Sequence, residues 1–260
     1  MNWIKRNDKF LSVVAVLAGS VLIWELLCWL LEVRVFILPA PSRIFLEIVD
    51  TPIYFLSNAG FTLMTTLAGF ALAVILGVVA AVGIVHSVFL ERTLYTLLVA
   101  LNSVPKVALA PLFVIWMGTG SEPKIAIALM IAIFSIVIDT VLGLRSADTD
   151  MINMARAARA TQLQILIKIR FPMALASMFA GMKVGISFAL IGAIVGEFVA
   201  GETGLGHVIL LSQGMFDTPR VFAAIFILGA MGTILFYIVE AAERFFLPWH
   251  VSQRGYSGGH

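Results

Sequence analysis

A chain of 260 residues in which 61% are hydrophobic and only 12% charged cannot clothe an ordinary soluble core, because 17 basic and 15 acidic residues are too few for the polar shell such a core needs. This composition requires lipid. The net charge of +2 gives no case for a nucleic-acid partner, and the single cysteine, Cys28, excludes an intrachain disulfide and a cysteine-held metal.

Lys5, Arg6 and Lys9 precede about 21 mostly apolar residues, 11–31, a run longer than the apolar region of a secretory signal and followed by no small-residue cleavage site. It reads as a retained first span, with Glu25 inside it either facing the bundle or protonated. An external segment follows, containing Leu38-Pro39-Ala40-Pro41-Ser42 and a short helix after it. Further spans are expected at 63–85, 94–117, 125–144, 173–199 and 221–239, each near the roughly 20 residues that cross a bilayer. Runs this long without period-2 alternation exclude a membrane barrel. The expected fold class is therefore all-α, a single polytopic membrane domain over 1–260 with six transmembrane helices.

In the third span, Pro105, Lys106 and Pro111 remove backbone donors and bend the helix, and the carbonyls freed are tolerated where they face protein or a wet cavity. This span is the expected pathway lining, with Asn102 and Trp116 beside it. Asp139 in span four and Lys183 in span five lie within a few turns of the same face, where they either pair or leave Lys183 to snorkel toward the head groups. Between those spans lies a loop, 145–172. Asp148-Thr149-Asp150 can cap an alanine-rich helix over 151–162 that is too short to be stable alone. It needs a partner surface, or lies at the interface with its arginines on lipid phosphates.

Glu197 sits among Gly192, Gly196, Gly201, Gly204 and Gly206 near the end of span five. It either lines a polar vestibule or gate, or hydrogen-bonds loop amides and fixes the turn. Gly181 with Gly185, and Gly192 with Gly196, are spaced four apart and allow close helix packing, here expected at a seam between subunits. His86, His207, His250 and His260 are scattered and carry no metal spacing.

Basic residues set the orientation. Lys5, Arg6, Lys9, Arg92, Arg145, Arg156, Arg159, Lys168, Arg170, Arg244 and Arg254 fall on one side of the spans, and only Arg34, Arg43, Lys124 and Arg220 on the other. The positive-inside rule then places both termini and the 145–172 loop in the cytoplasm. The sequence carries no Gly-rich phosphate loop, metal-spaced pair or nucleophile elbow, so no enzymatic activity is expected of this chain. An ion-gradient-driven transporter using Asp139 and Glu197 as relays is the alternative, and it lacks internal repeats.

The loop resembles the signature of binding-protein-dependent ABC permeases: Glu-Ala-Ala, three residues, Gly, nine residues, Ile, one residue, Leu-Pro. The corresponding positions are Asn153, Met154, Ala155, Arg159, Ile169, Phe171 and Pro172, of which Ala155, Ile169 and Pro172 match. Residues 102–120 resemble the Pro-rich third span, and 191–206 the Gly-Glu-Phe and Gly-Leu-Gly stretch, of the nitrate, sulfonate and taurine branch of that family. Taken with 38–42 and 62–70, the resemblance covers about 38–249. It implies a type I ABC importer permease fold in the bacterial inner membrane.

It also implies two permease subunits, two cytoplasmic ATPases that bind ATP and Mg, and a periplasmic substrate-binding protein, with no cofactor held by this chain. The loop helix becomes a coupling helix in which Asn153, Met154, Ala155, Arg156, Arg159, Ala160, Thr161 and Pro172 meet the ATPase. The substrate expected is a small organic molecule or anion: a sulfonate, taurine, an aromatic carboxylate or a vitamin precursor. Arginine suits poorly the positive φ that the pattern's glycine allows, so the helix is expected to continue through Arg159, placing it on one face with Arg156. A docking surface altered in that way points to pairing with a different permease, the alternative being a homodimer.

Overall fold

The computed structural model of the chain describes residues 2–248; Arg254, His250 and His260 lie outside them. Among the described residues the secondary structure is all helical. Helix α1 (Asn2–Leu30) leads to α2 (Pro41–Asp50) and α3 (Pro52–His86). A wide π turn over Glu91–Tyr95 opens α4 (Thr96–Asn102), and a 3-10 turn over Lys106–Leu109 opens α5 (Ala110–Met117). Then come α6 (Glu122–Arg145), α7 (Thr149–Ala157), α8 (Gln162–Ala200), α9 (Leu205–Gly214) and α10 (Thr218–Phe246).

Helices α3, α6, α8 and α10 are long and apolar enough to cross a membrane, and the expected spans two, four, five and six fall on them. The expected first span falls within α1, whose stretch Ala15–Leu30 is apolar, and of the third only the shorter apolar helix Lys106–Met117 is continuous. The continuous third span expected over 94–117 is not present. Ser103, Val104 and Pro105 break it into α4 and α5, because Pro105 can neither donate to the helix ladder nor let Val104 stay helical.

The spine is α6, sandwiched between α3 and α8. Small residues set this up. A Cβ added at Gly192 would lie 2.5 Å from the Ala128 Cα, one at Gly196 2.9 Å from the Lys124 Cα, and one at Gly185 2.9 Å from Ile136 Cγ1. Gly77 of α3 stands against the same Ile136 in the same way, an added Cβ lying 3.0 Å from its Cγ2. Apolar side chains gain nothing from packing in lipid over facing it, so close backbone approach supplies the van der Waals energy that holds these helices. The Gly181, Gly185, Gly192 and Gly196 face is therefore a seam within one subunit, against Asp139, Ile136, Ala128 and Lys124, and not the inter-subunit seam expected.

Helix α10 joins through the Lys183–Glu243 ion pair at 2.8 Å and the Leu235, Val239, Phe179 and Ile186 cluster. Helix α1 leans on α10 through Trp24, whose ring lies 6.0 Å from Phe222 and 6.1 Å from Phe226. Its Glu25, left open in the sequence, faces protein. It accepts from the backbone N–H and hydroxyl of Ser42 at 2.9 and 2.7 Å, capping α2 where Ala40 offers no side-chain cap.

Helices α1, α7 and α9 close with the same turn, in which one N–H reaches back five residues and the one before it three. The pairs are Val33 to Cys28 with Glu32 to Trp29, Ala160 to Ala155 with Arg159 to Arg156, and Asp217 to Ser212 with Phe216 to Gln213. Such a turn needs a left-handed residue at its apex, usually glycine. Here Glu32, Arg159 and Phe216 occupy it at φ 47°, 60° and 58°.

Candidate functional site

Three regions carry the residues that sequence singles out. The first is the loop after α6. Asp148 accepts from the Asp150 N–H at 2.8 Å to start α7, and Thr161 with Gln164 forms a reciprocal capping box that starts α8. Ile152 packs on Ala147 and Ile165, with Ala155, Ala160 and Ile169 around them, so the loop has a small core of its own. Ala155 is thus turned toward that core, while Asn153, Arg156, Arg159 and Thr161 are exposed and Met154 retains 73% of its surface. Pro172 opens the α-helical continuation of α8 beyond a second π turn, Leu166–Arg170.

The expectation for Arg159 is overturned. The helix stops at Ala157, and Arg159 takes the left-handed position that the family pattern gives to glycine. Two well-formed turn hydrogen bonds, each 2.9 Å, offset the roughly 1–2 kcal/mol that a Cβ costs there. The backbone shape survives the substitution, which removes the premise for pairing with a different permease. Arg156 and Arg159 are not neighbours on one helical face.

The second region is the far end of α8. Glu197 is fully buried, and its carboxylate accepts from the Thr62 hydroxyl at 2.8 Å and the Gly206 N–H at 2.7 Å. Thr62 in turn accepts from the Leu205 N–H at 2.9 Å, and Asn58 from the Gly204 N–H at 2.8 Å. Three successive N–H groups at the start of α9 are capped by side chains of α3 and α8, since Gly204 has none to offer. Of the two roles open to Glu197, turn fixing matches this geometry. Lys124, counted in the sequence only as an external charge, is 2% exposed and donates to the carbonyls of Thr119, Gly120 and Ala200 at 2.8, 2.6 and 3.1 Å. Sequence reasoning missed Lys124, Thr62 and Asn58, because their partners Ala200, Glu197, Leu205 and Gly204 lie 76 to 146 positions further along the chain.

The third region is the broken segment. Lys106 donates to Asn102 at 2.8 Å and lies 5.3 Å over the Phe134 ring, while Phe113 and Trp116 meet edge to face at 5.8 Å. Trp116 keeps 70% of its surface, and Pro105 is exposed. Asp139 and Lys183 do not pair; Lys183 takes Glu243 instead, and Asp139 lies against Gly181.

A bundle held by small-residue seams, with apolar side chains bare on its outside and one capped helix projecting from its spans, defines a membrane-embedded helical subunit. Residues 73–247 match the family described as binding-protein-dependent transport system inner membrane component, and the chain belongs to that family. It is 31% identical over 250 residues to the formylaminopyrimidine transport permease protein ThiX of Halalkalibacterium halodurans, covering 96% of this chain and all of that one. It is 34% identical over 220 residues to the riboflavin transport system permease protein RibX of Chloroflexus aurantiacus, covering 84% of this chain and 82% of that one. A chain of the MetNI methionine ABC transporter in an inward-facing crystal form superposes with a TM-score of 0.67 at 17% identity, over 75% of this chain and 98% of that one, and shares the fold. The protein is a permease subunit of an ABC importer, a multi-pass inner-membrane component, and ATP hydrolysis lies in a separate subunit.

Proposed function

We propose that α7 is the element through which a cytoplasmic ATPase drives this permease, with Met154 as its central contact. The observation that carries this is a short helix, packed on its own miniature core through Ile152, that presents Met151, Asn153 and Met154 to the outside with nothing over them. An apolar, unbranched side chain on a rigid base suits a groove that moves as a body. Arg156, Arg159 and Thr161 flank that contact, whereas Ala155 and Ala160 support it from within. The assembly is then two ATPases holding ATP and Mg, two copies of this permease with unaltered turn geometry, and a periplasmic binding protein. Both termini face the cytoplasm on the strength of the basic-residue bias.

The broken segment between α4 and α5 is the proposed pathway lining, with Asn102, Pro105, Lys106 and Trp116 toward the substrate. Lys106 over Phe134, and the Phe113 and Trp116 pair, favour a planar nitrogen heterocycle of the vitamin-precursor kind over an inorganic anion. The relatives that name a formylaminopyrimidine and riboflavin point the same way. Met154→Cys in a Cys28→Ala background should cross-link to the ATPase, and Met154→Glu should abolish uptake with the subunit still inserted. Normal uptake by Met154→Glu at equal expression refutes the docking role. Titration of the cognate binding protein with pyrimidines, flavins and sulfonates decides the substrate class.

A further inference from the structure

Where α3 ends, His86, Arg156 and Arg170 line a cavity of about 280 Å³ whose remaining walls are Val82, Val85 and Leu166. Gln162, Leu166 and Arg170 form one stripe of α8, four residues apart, and Val82, Val85 and His86 form the facing stripe of α3. No carboxylate lines the cavity. Neither arginine has an ion-pair partner among the described residues, whereas Arg145 and Arg244 each have one and Arg220 has two. With two guanidiniums facing it and no carboxylate, a cavity of this size suits a compact anionic group.

Its position supplies the rest. Helix α8 has 39 residues, a rise of roughly 58 Å, which exceeds the roughly 30 Å hydrocarbon core and leaves turns to extend beyond it. Beside the cavity, Leu163 and Ile167 on the adjacent stripe of α8 are 62% and 58% exposed, and Val88 and Phe89 after α3 are 64% and 72% exposed. Cationic groups near the end of a helix longer than the hydrocarbon core, flanked by uncovered apolar side chains, match an amphiphile with one negative charge.

We propose that this cavity holds the phosphodiester of an anionic phospholipid, Arg156 and Arg170 taking its oxygens while its acyl chains lie outside, along the exposed Leu163, Ile167, Val88 and Phe89. Two guanidiniums are suited to phosphate oxygens by their forked donors, and His86 adds a third donor. Since Arg156 belongs to α7 and Arg170 to α8, the lipid ties the projecting loop to the span. The proposal needs the membrane location of the chain and not the ATPase contact proposed for α7.

The test is native mass spectrometry of the delipidated full-length chain in detergent, titrated with dioleoyl phosphatidylglycerol or dioleoyl phosphatidylcholine. The expected result is one retained phosphatidylglycerol per chain and no retained phosphatidylcholine, with binding weakened about five-fold by either Arg156→Gln or Arg170→Gln. Lys168→Gln, on the same helix but outside the cavity, leaves binding unchanged, and Arg170→Lys preserves most of it. Circular dichroism of each variant separates lost binding from lost folding, and Arg170→Lys keeps the test decisive if Arg170→Gln is unfolded. Equal loss from Lys168→Gln would mean diffuse surface attraction and overturns the site. Inorganic phosphate that displaces the lipid at millimolar concentration overturns the lipid as occupant.

Discussion

Glu197→Ala tests the outer end of α8 most sharply. The carboxylate is 0% exposed and holds two donors, the Gly206 N–H and the Thr62 hydroxyl. Thr62 can turn its proton to the Asn58 carbonyl, 3.2 Å away, but the Gly206 N–H has no second acceptor in reach of helix geometry. An orphaned buried donor costs about 1–3 kcal/mol and the space left by the side chain about 1–2 kcal/mol more. The expected loss is about 2–5 kcal/mol, which for a chain of this size lowers the melting temperature by roughly 4–20 °C. Glu197→Gln keeps an oxygen for Gly206 and the same volume, so it should lose only about 1 kcal/mol. The assay is thermal unfolding in detergent followed by size-exclusion fluorescence, with uptake measured in parallel. If Glu197→Gln keeps its stability but loses transport as fully as Glu197→Ala, the charge itself works in the pathway and the turn-fixing account is wrong.

Gly192→Val should drive a branched side chain into the Ala128 backbone and destabilise by about 1–3 kcal/mol, read as lost monodispersity after mild heating; wild-type behaviour would refute the α6–α8 seam. Lys183→Met alone should cost about 2–3 kcal/mol by stranding Glu243, and adding Glu243→Leu should restore most of it; additive losses in this double-mutant cycle would argue against the pair. Arg159→Gly should leave uptake and stability within about 1 kcal/mol of wild type, while Arg159→Val, β-branched at φ 60°, should lose about 1–2 kcal/mol. In a Cys28→Ala background, a cysteine at exposed Gln213 should react with an impermeant thiol reagent in whole cells, and one at exposed Gln162 only after the membrane is opened; equal labelling contradicts the orientation.

Helices α3, α6, α8 and α10 were legible because lipid leaves no choice: a run such as 125–144 must be helical and must be long. Their ends were less so, since α3 runs back to Pro52 and α8 out to Gln162, where polar residues continue a helix that hydropathy alone stops. Pro105 and Pro111 announced an irregular third segment, but not that Ser103 to Pro105 would part it completely. Spacing revealed the glycine faces of α8, whereas the partner surface on α6 depends on tertiary arrangement. For Arg159 the propensity argument pointed the wrong way, because hydrogen bonds closing the turn outweigh one unfavourable φ. Glu197 stood out as an acid among glycines, yet its role waited on Thr62 and Asn58 of a distant helix.

Helix α8, 39 residues long, has one end beside α7 and the other near Glu197, and its backbone is helical throughout. It is a lever whose two ends move together as long as it does not bend. About 5° of tilt about its loop end would carry the Glu197 end through about 5 Å over its roughly 58 Å length. The capped start of α9, clasped by α3 and α8 together, must either travel with that end or let go of one of them. Only the wide turn at Leu166–Arg170 interrupts the regular ladder, so bending that decouples the two ends would concentrate there, beside Arg170.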